Sequence, residues 1–181
     1  MALKLPRTIR LDPSDTFVYA RTAEPGEWAV TGTFLFFGAD AAKLAGKERQ
    51  AFRAGFLGLD SFGWSTLVVV TEATAEERAA AVERLAEQLV AHCGAPDMES
   101  ACVAADEEVA FAQSLCDHES NTLIGVHRTG EGAGIRESFR TLHRRAGRLE
   151  PAGAFRFVEV EEEDAPGEEV DLVALAAERR K

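Results

Sequence analysis

The sequence predicts an α+β fold, a mixed sheet of about five strands with an N-terminal antiparallel hairpin and with helices packed mainly on one face. Three observations carry this reading. Strand-like runs come first as a pair and then singly between helices, two long helical periodicities occupy the middle of the chain, and no unit of about 20–50 residues repeats. At 181 residues and 46% hydrophobic content the chain fits a single domain, 1–181.

The hairpin is read from Thr16-Phe17-Val18-Tyr19-Ala20, a turn at Glu24-Pro25-Gly26-Glu27, and a second run from Trp28 to Phe37 that Gly32 bulges or breaks. Leu44, Phe52, Phe56 and Leu59 then recur at helical intervals, so residues 40–57 read as an amphipathic helix. Trp64 to Thr71 is apolar, β-branched and without polar alternation, which suits a central strand. Thr74 with Glu77 makes a capping box and Gly94 with Pro96 a stop, bounding a helix from Ala75 to Cys93. A second helix starts near Pro96-Asp97, with Met98, Cys102, Ala105, Val109, Ala112 and Cys116 along one stripe. Thr122 to Thr129 reads as a strand and 130–134 as a glycine loop. Ile135, Phe139 and Leu142 read as a short helix, and Ala154 to Val160 as the last strand. The acidic run Glu159–Asp171 contains no base. Residues 161–169 read as a mobile acidic loop, and 170–177 as a short terminal helix.

With 31 acidic against 20 basic residues the net charge is -11, which repels phosphate backbones and anionic membrane surfaces. No nucleic-acid or membrane partner is expected. The longest strongly apolar run, Leu67–Val70, is far short of a membrane span, and no apolar stretch follows Met1–Arg7 as a secretory leader requires. A cytoplasmic location with reduced Cys93, Cys102 and Cys116 is the expectation.

Four candidate sites follow. Cys116-Asp117-His118 pairs a thiol with an imidazole, a combination that binds soft metals or activates a nucleophile, with His127 as a possible third group. Against this, free cysteine on an apolar stripe is usually core. Gly130, Gly132 and Gly134 before Arg136 look like a strand, a glycine loop and a helix start, a geometry that can hold a small anion, although Glu131 opposes it. Arg136, Arg140, Arg144, Arg145 and Arg148 face the single acid Glu137, making a basic helix that recognises an acidic partner or pairs with the 159–171 run. Phe62 and Trp64, among small residues, offer aromatic contact area or core. Ser61 and Ser65 match no nucleophile-elbow pattern, and Glu107-Glu108 reads as a solvated face.

Through Arg53-Ala54-Gly55-Phe56-Leu57-Gly58, Ser61-Phe62-Gly63-Trp64-Ser65-Thr66-Leu67, Ser114-Leu115-Cys116-Asp117-His118 and Val126-His127-Arg128-Thr129, the chain resembles a bacterial family of uncharacterised proteins, a domain of unknown function, over nearly its whole length. That family has no assigned activity, so no catalytic or binding residue carries over. The resemblance implies genes for assembling molybdenum-containing or iron–sulfur oxidoreductases as neighbours, and hence an accessory role in maturing a redox metalloenzyme. The expected function is therefore a non-catalytic accessory or assembly factor, without cofactor, that contacts a partner protein's acidic or apolar segment through Phe62, Trp64, Arg136, Arg140 and Arg144. The alternatives are a metal-binding or thiol-dependent protein using Cys116, His118 and His127, and a small-anion binder at Gly130, Gly132, Gly134 and Arg136.

Overall fold

The computed structural model describes residues 2–144 and 158–161. Its strands are β1 (Lys4–Ile9), β2 (Ala29–Val30), β3 (Phe56–Gly58), β4 (Trp64–Ser65), β5 (Leu67–Glu72), β6 (Leu123–Glu131), β7 (Gly134–Arg144) and β8 (Val158–Glu161). Its helices are α1 (Asp15–Val18), α2 (Gly46–Ala54), α3 (Ala75–His92) and α4 (Met98–Ser114). A five-stranded sheet runs β1-β5-β6-β7-β8 and a three-stranded one runs β2-β3-β4. The α+β class is as expected, but every ladder is antiparallel, so the large sheet is not mixed.

The N-terminal hairpin at 15–37 does not form. Asp12 accepts the Ser14 amide at 2.8 Å and starts a single helical turn, so local side-chain bonding overrides the strand propensity of Thr16–Tyr19. Past Ala29–Val30 the second run stops at Gly32, whose φ of 75° opens a 3-10 turn at Thr33–Phe36. The first strand of the large sheet is β1 instead. Pro6 argues against a central strand, yet β1 is at the sheet edge, where a missing N–H is tolerated.

The helix expected over 40–57 is shorter. Asp40 accepts the Ala42 amide at 3.1 Å and caps a 3-10 turn at Ala41–Lys43, so α2 begins only at Gly46. The short helix expected around Ile135, Phe139 and Leu142 is β7. Spacings of four and three fit a helix, but Gly132, with φ 59°, takes the first central position of a two-residue hairpin turn between Glu131 and Gly134. Of the last expected strand, 154–157 lie outside the described residues, as do 162–169 of the acidic loop and the terminal helix at 170–177; β8 covers 158–161.

Residues 75–92 form the helix that the capping box announces, with both reciprocal bonds made, Glu77 amide to Thr74 Oγ1 at 3.1 Å and Thr74 amide to Glu77 Oε2 at 2.9 Å. Ala81, Leu85, Ala86 and Leu89 of α3 pack with Ala101, Ala105, Val109 and Ala112 of α4, an alanine-rich seam that lets the helix axes approach closely. The small sheet is covered on both sides. Val30 and Leu57 join that helical cluster, while Ala29 and Phe56 join Val68, Val70, Ile124 and Val126 of the large sheet. Alternation in β6 therefore sets a buried face, Ile124, Val126 and Arg128, against a half-buried face, Leu123, Gly125 and His127.

Candidate functional site

The register of β6 against β7 decides where the polar residues go. Arg128 lies opposite Glu137 and Val126 opposite Phe139 on the buried face, while Thr129 lies opposite Arg136 and Gly125 opposite Arg140 on the other. An arginine in the position of a core residue needs partners for five N–H groups. Arg128, with 0% of its surface exposed, has a partner for each of its three nitrogens: Nη1 donates to the carbonyls of Phe52 (3.0 Å), Gly55 (2.8 Å) and Ala51 (3.4 Å), and Nη2 to that of Thr31. Nε donates to Thr33 Oγ1 (2.8 Å) and Glu137 Oε1 (3.2 Å), and the Thr33 hydroxyl donates to the same Glu137 oxygen. The guanidinium thus closes the carbonyl end of α2, where the helix dipole favours a cation.

Above this ion pair lies a cleft of about 1170 Å³, walled by the 33–42 segment, α4 and the tip of the β6–β7 hairpin. Gly130 brings two of the walls together, because a Cβ there would lie 2.5 Å from the Ala41 Cβ. Glu137 and Asp40 line the cleft, as does Glu108 of α4, and Phe37 and Phe111 stand on it 71% and 42% exposed. Glu108 makes no hydrogen bond among the described residues, and burial raises its carboxyl above the ordinary value, helped by the charges of Glu137 and Glu107 and opposed by Arg128. Among the described residues the site therefore combines apolar walls with carboxylates that outnumber the one cation at its base. Such a surface attracts cationic and apolar groups and repels anions.

The residues singled out from sequence are dispersed. Cys116 is 2% exposed beneath Val68, Val70, Ile124 and Val126, and burial pushes its thiol up to about 12, with Lys4 opposing. The carbonyl of His118 holds Lys4 Nζ at 2.6 Å. His127 belongs to the opposite face of the sheet from the Cys116 cluster, and burial, with Arg53 and Arg140, lowers its pKa. The structure thus separates Cys116 from His127, and among the described residues no three His, Cys, Asp or Glu side chains are grouped to hold a metal.

Gly130, Gly132 and Gly134 are a hairpin tip rather than the approach to a helix N-terminus, so the anion geometry expected there is not formed. Arg136 and Arg140 lie on a strand, not a helix; in the β7–β8 register Glu159 lies opposite His143 and Glu161 opposite Thr141, on the face of β7 other than the one that carries Arg136, Arg140 and Arg144. Trp64 is packed rather than presented, stacked on Phe36 at 5.4 Å and met by any Cβ at Gly32 or Gly55 within 2.8 Å. Phe62, at φ 54°, stacks on His92 at 5.1 Å near the end of α3, away from the Phe36 cluster that takes Trp64. The loop that carries it is anchored by buried Glu27, which accepts from the amides of Asp60 (2.8 Å), Ser61 (2.6 Å) and Glu24 (2.6 Å) and from the Ser61 hydroxyl (2.8 Å).

Sequence reasoning passed over Arg128, Glu137, Glu108 and Phe37 as a group. One signal was present: Ile124, Val126 and Arg128 alternate on one strand face, so the arginine falls where an apolar residue belongs. Among the described residues no helix is long and apolar enough to cross a membrane. The model of a family of unknown function, DUF6505, matches residues 1–159. No curated protein and no solved structure matches the chain.

Proposed function

The chain belongs to that family, whose description assigns no activity, and from this premise we propose a non-catalytic accessory or assembly factor that holds a segment of a partner protein in the cleft over the Arg128–Glu137 pair. The observation that carries the reading is the pair of phenylalanines, Phe37 and Phe111, left exposed at the same concavity. Single exposed apolar side chains need no explanation, whereas two aromatics at one cleft with a polar floor make an anchor-and-orient arrangement. The rigid base supports it as well, since Arg128 joins β6, α2 and the 31–33 segment and holds the cleft's base in shape without a ligand. The client expected from the sequence resemblance is a redox metalloenzyme under maturation.

The test is photo-cross-linking in cells from a reactive residue at position 37, with position 11, also exposed but outside the cleft, as control. The expected result is a cross-link from 37 to a defined segment of one protein, which as a synthetic peptide binds the wild-type chain and not Phe37→Asp. Equal cross-linking from both positions, or binding that survives Phe37→Asp, would refute the cleft as the contact.

A further inference from the structure

The chemistry of the cleft says what kind of segment it takes. Three carboxylates, Asp40, Glu108 and Glu137, line it, and Arg128, the only cation at its base among the described residues, is fully buried and already shared among six oxygen acceptors. Glu137 commits Oε1 to Arg128 and Thr33, and its Oε2 makes no hydrogen bond among the described residues. Asp40 is partly satisfied by the Ala42 amide and by Lys43 at 3.6 Å. Glu108, three residues before Phe111 on α4, lies on the same flank of the helix as that ring and has no donor at all among the described residues. A half-buried carboxylate without a donor, beside a second with one unused oxygen and between exposed aromatic rings, is complementary to an ammonium or guanidinium carried on an apolar stem.

We propose that the cleft binds a partner segment in which one lysine or arginine stands between apolar residues, the cation meeting Glu108 and Glu137 and its apolar neighbours meeting Phe37 and Phe111. This rests on the cleft being the contact surface and adds the charge of the occupant. It differs from the acidic segment expected from the arginine-rich stretch, because the cleft is lined by carboxylates, while Arg136, Arg140 and Arg144, on β7, are not among its described lining residues. A lysine or arginine stem also covers aromatic surface, adding to the contact that its apolar neighbours make.

The experiment is selection of a displayed random peptide library on the full-length chain, followed by affinity measurement on wild type, Glu108→Gln and Phe37→Ala. Neither substitution removes a described hydrogen bond, and circular dichroism confirms that each variant folds. The expected result is enrichment of peptides with one Lys or Arg flanked by apolar residues. Their affinity should fall at least about tenfold in Glu108→Gln, the loss of one charge-assisted contact, and also in Phe37→Ala. Apolar peptides that lack a cation, need Phe37 and ignore Glu108→Gln would overturn the charge assignment and leave the cleft reading standing. Acidic peptides, binders indifferent to Phe37, or no enrichment would overturn both.

Discussion

Replacing Arg128 by methionine tests whether the buried ion holds the cleft's base together. The change keeps an unbranched stem but removes the donors to the Thr31, Ala51, Phe52 and Gly55 carbonyls, to Thr33 and to Glu137. Removing one partner of a buried pair costs about 3–5 kcal/mol, because the other charge is left uncompensated. Glu137 retains the Thr33 hydroxyl and its side chain is 18% exposed, so water relieves part of the loss and about 3 kcal/mol is the expected value. Against a total stability of about 5–15 kcal/mol this is severe. With a urea slope of about 2 kcal/mol per molar, the midpoint should fall by about 1.5 M, followed by tryptophan fluorescence and circular dichroism. The apolar double variant Arg128→Met/Glu137→Leu should recover at least about 1 kcal/mol relative to the sum of the single changes. A loss below about 1 kcal/mol for the single variant, or a fully additive double, would refute the argument that this pair is mutually dependent.

Glu108→Gln should raise stability near neutral pH and change little near pH 4. The raised carboxyl contributes stability below its ordinary value of 4.5 and loses it as pH rises through the raised value, so denaturation curves that shift equally at both pH values would contradict the assignment. Thiol titration should leave Cys116 silent until the protein unfolds, since a thiol near 12 is only about one part in 10,000 thiolate at pH 8. Rapid native labelling of Cys116, as distinct from exposed Cys93, would contradict its burial. Glu27→Ala strands three backbone amides and the Ser61 hydroxyl and should cost about 2–4 kcal/mol. The Asp60 and Ser61 amides should then exchange faster, and unchanged protection there would remove Glu27 from its anchoring role.

What the sequence makes legible is what local chemistry specifies. The reciprocal Thr74–Glu77 bonds and the Ala105, Val109 and Ala112 part of the second helix's stripe act within one element and are found where the local pattern puts them; the stripe's first residue, Met98, is exposed, Cys116 lies past the end of α4, and the run expected as one strand from Trp64 to Thr71 divides between β4 and β5 of two sheets. Two misses are local, where Asp12 and Asp40 bind an amide two residues on and start short turns; the others are decided by pairing with distant segments. Pro6 fits a strand only because β1 is at the edge. Ile135 and Phe139 fit helix and strand equally until the two-residue turn at Gly132 pairs their strand with β6. The site follows the same rule, because Thr33, Glu108 and Glu137 come from three segments far apart in the chain, two of which meet at Arg128, itself bonded to the carbonyl end of α2.

The buried guanidinium also bears on how the chain avoids misfolding. Sliding β6 by one residue past its neighbours would exchange the two faces of the strand. Ile124 and Val126 would turn outward, His127 would enter the apolar cluster, and Arg128 would leave the carbonyl end of α2 without its donor. An apolar residue at 128 would tolerate several near-equivalent pairings, whereas an ion that must meet six acceptors at once admits one. The tight turn at Gly132 enforces the same alignment from the other end of the hairpin, so the pairing that builds the cleft is specified twice, by backbone geometry and by charge.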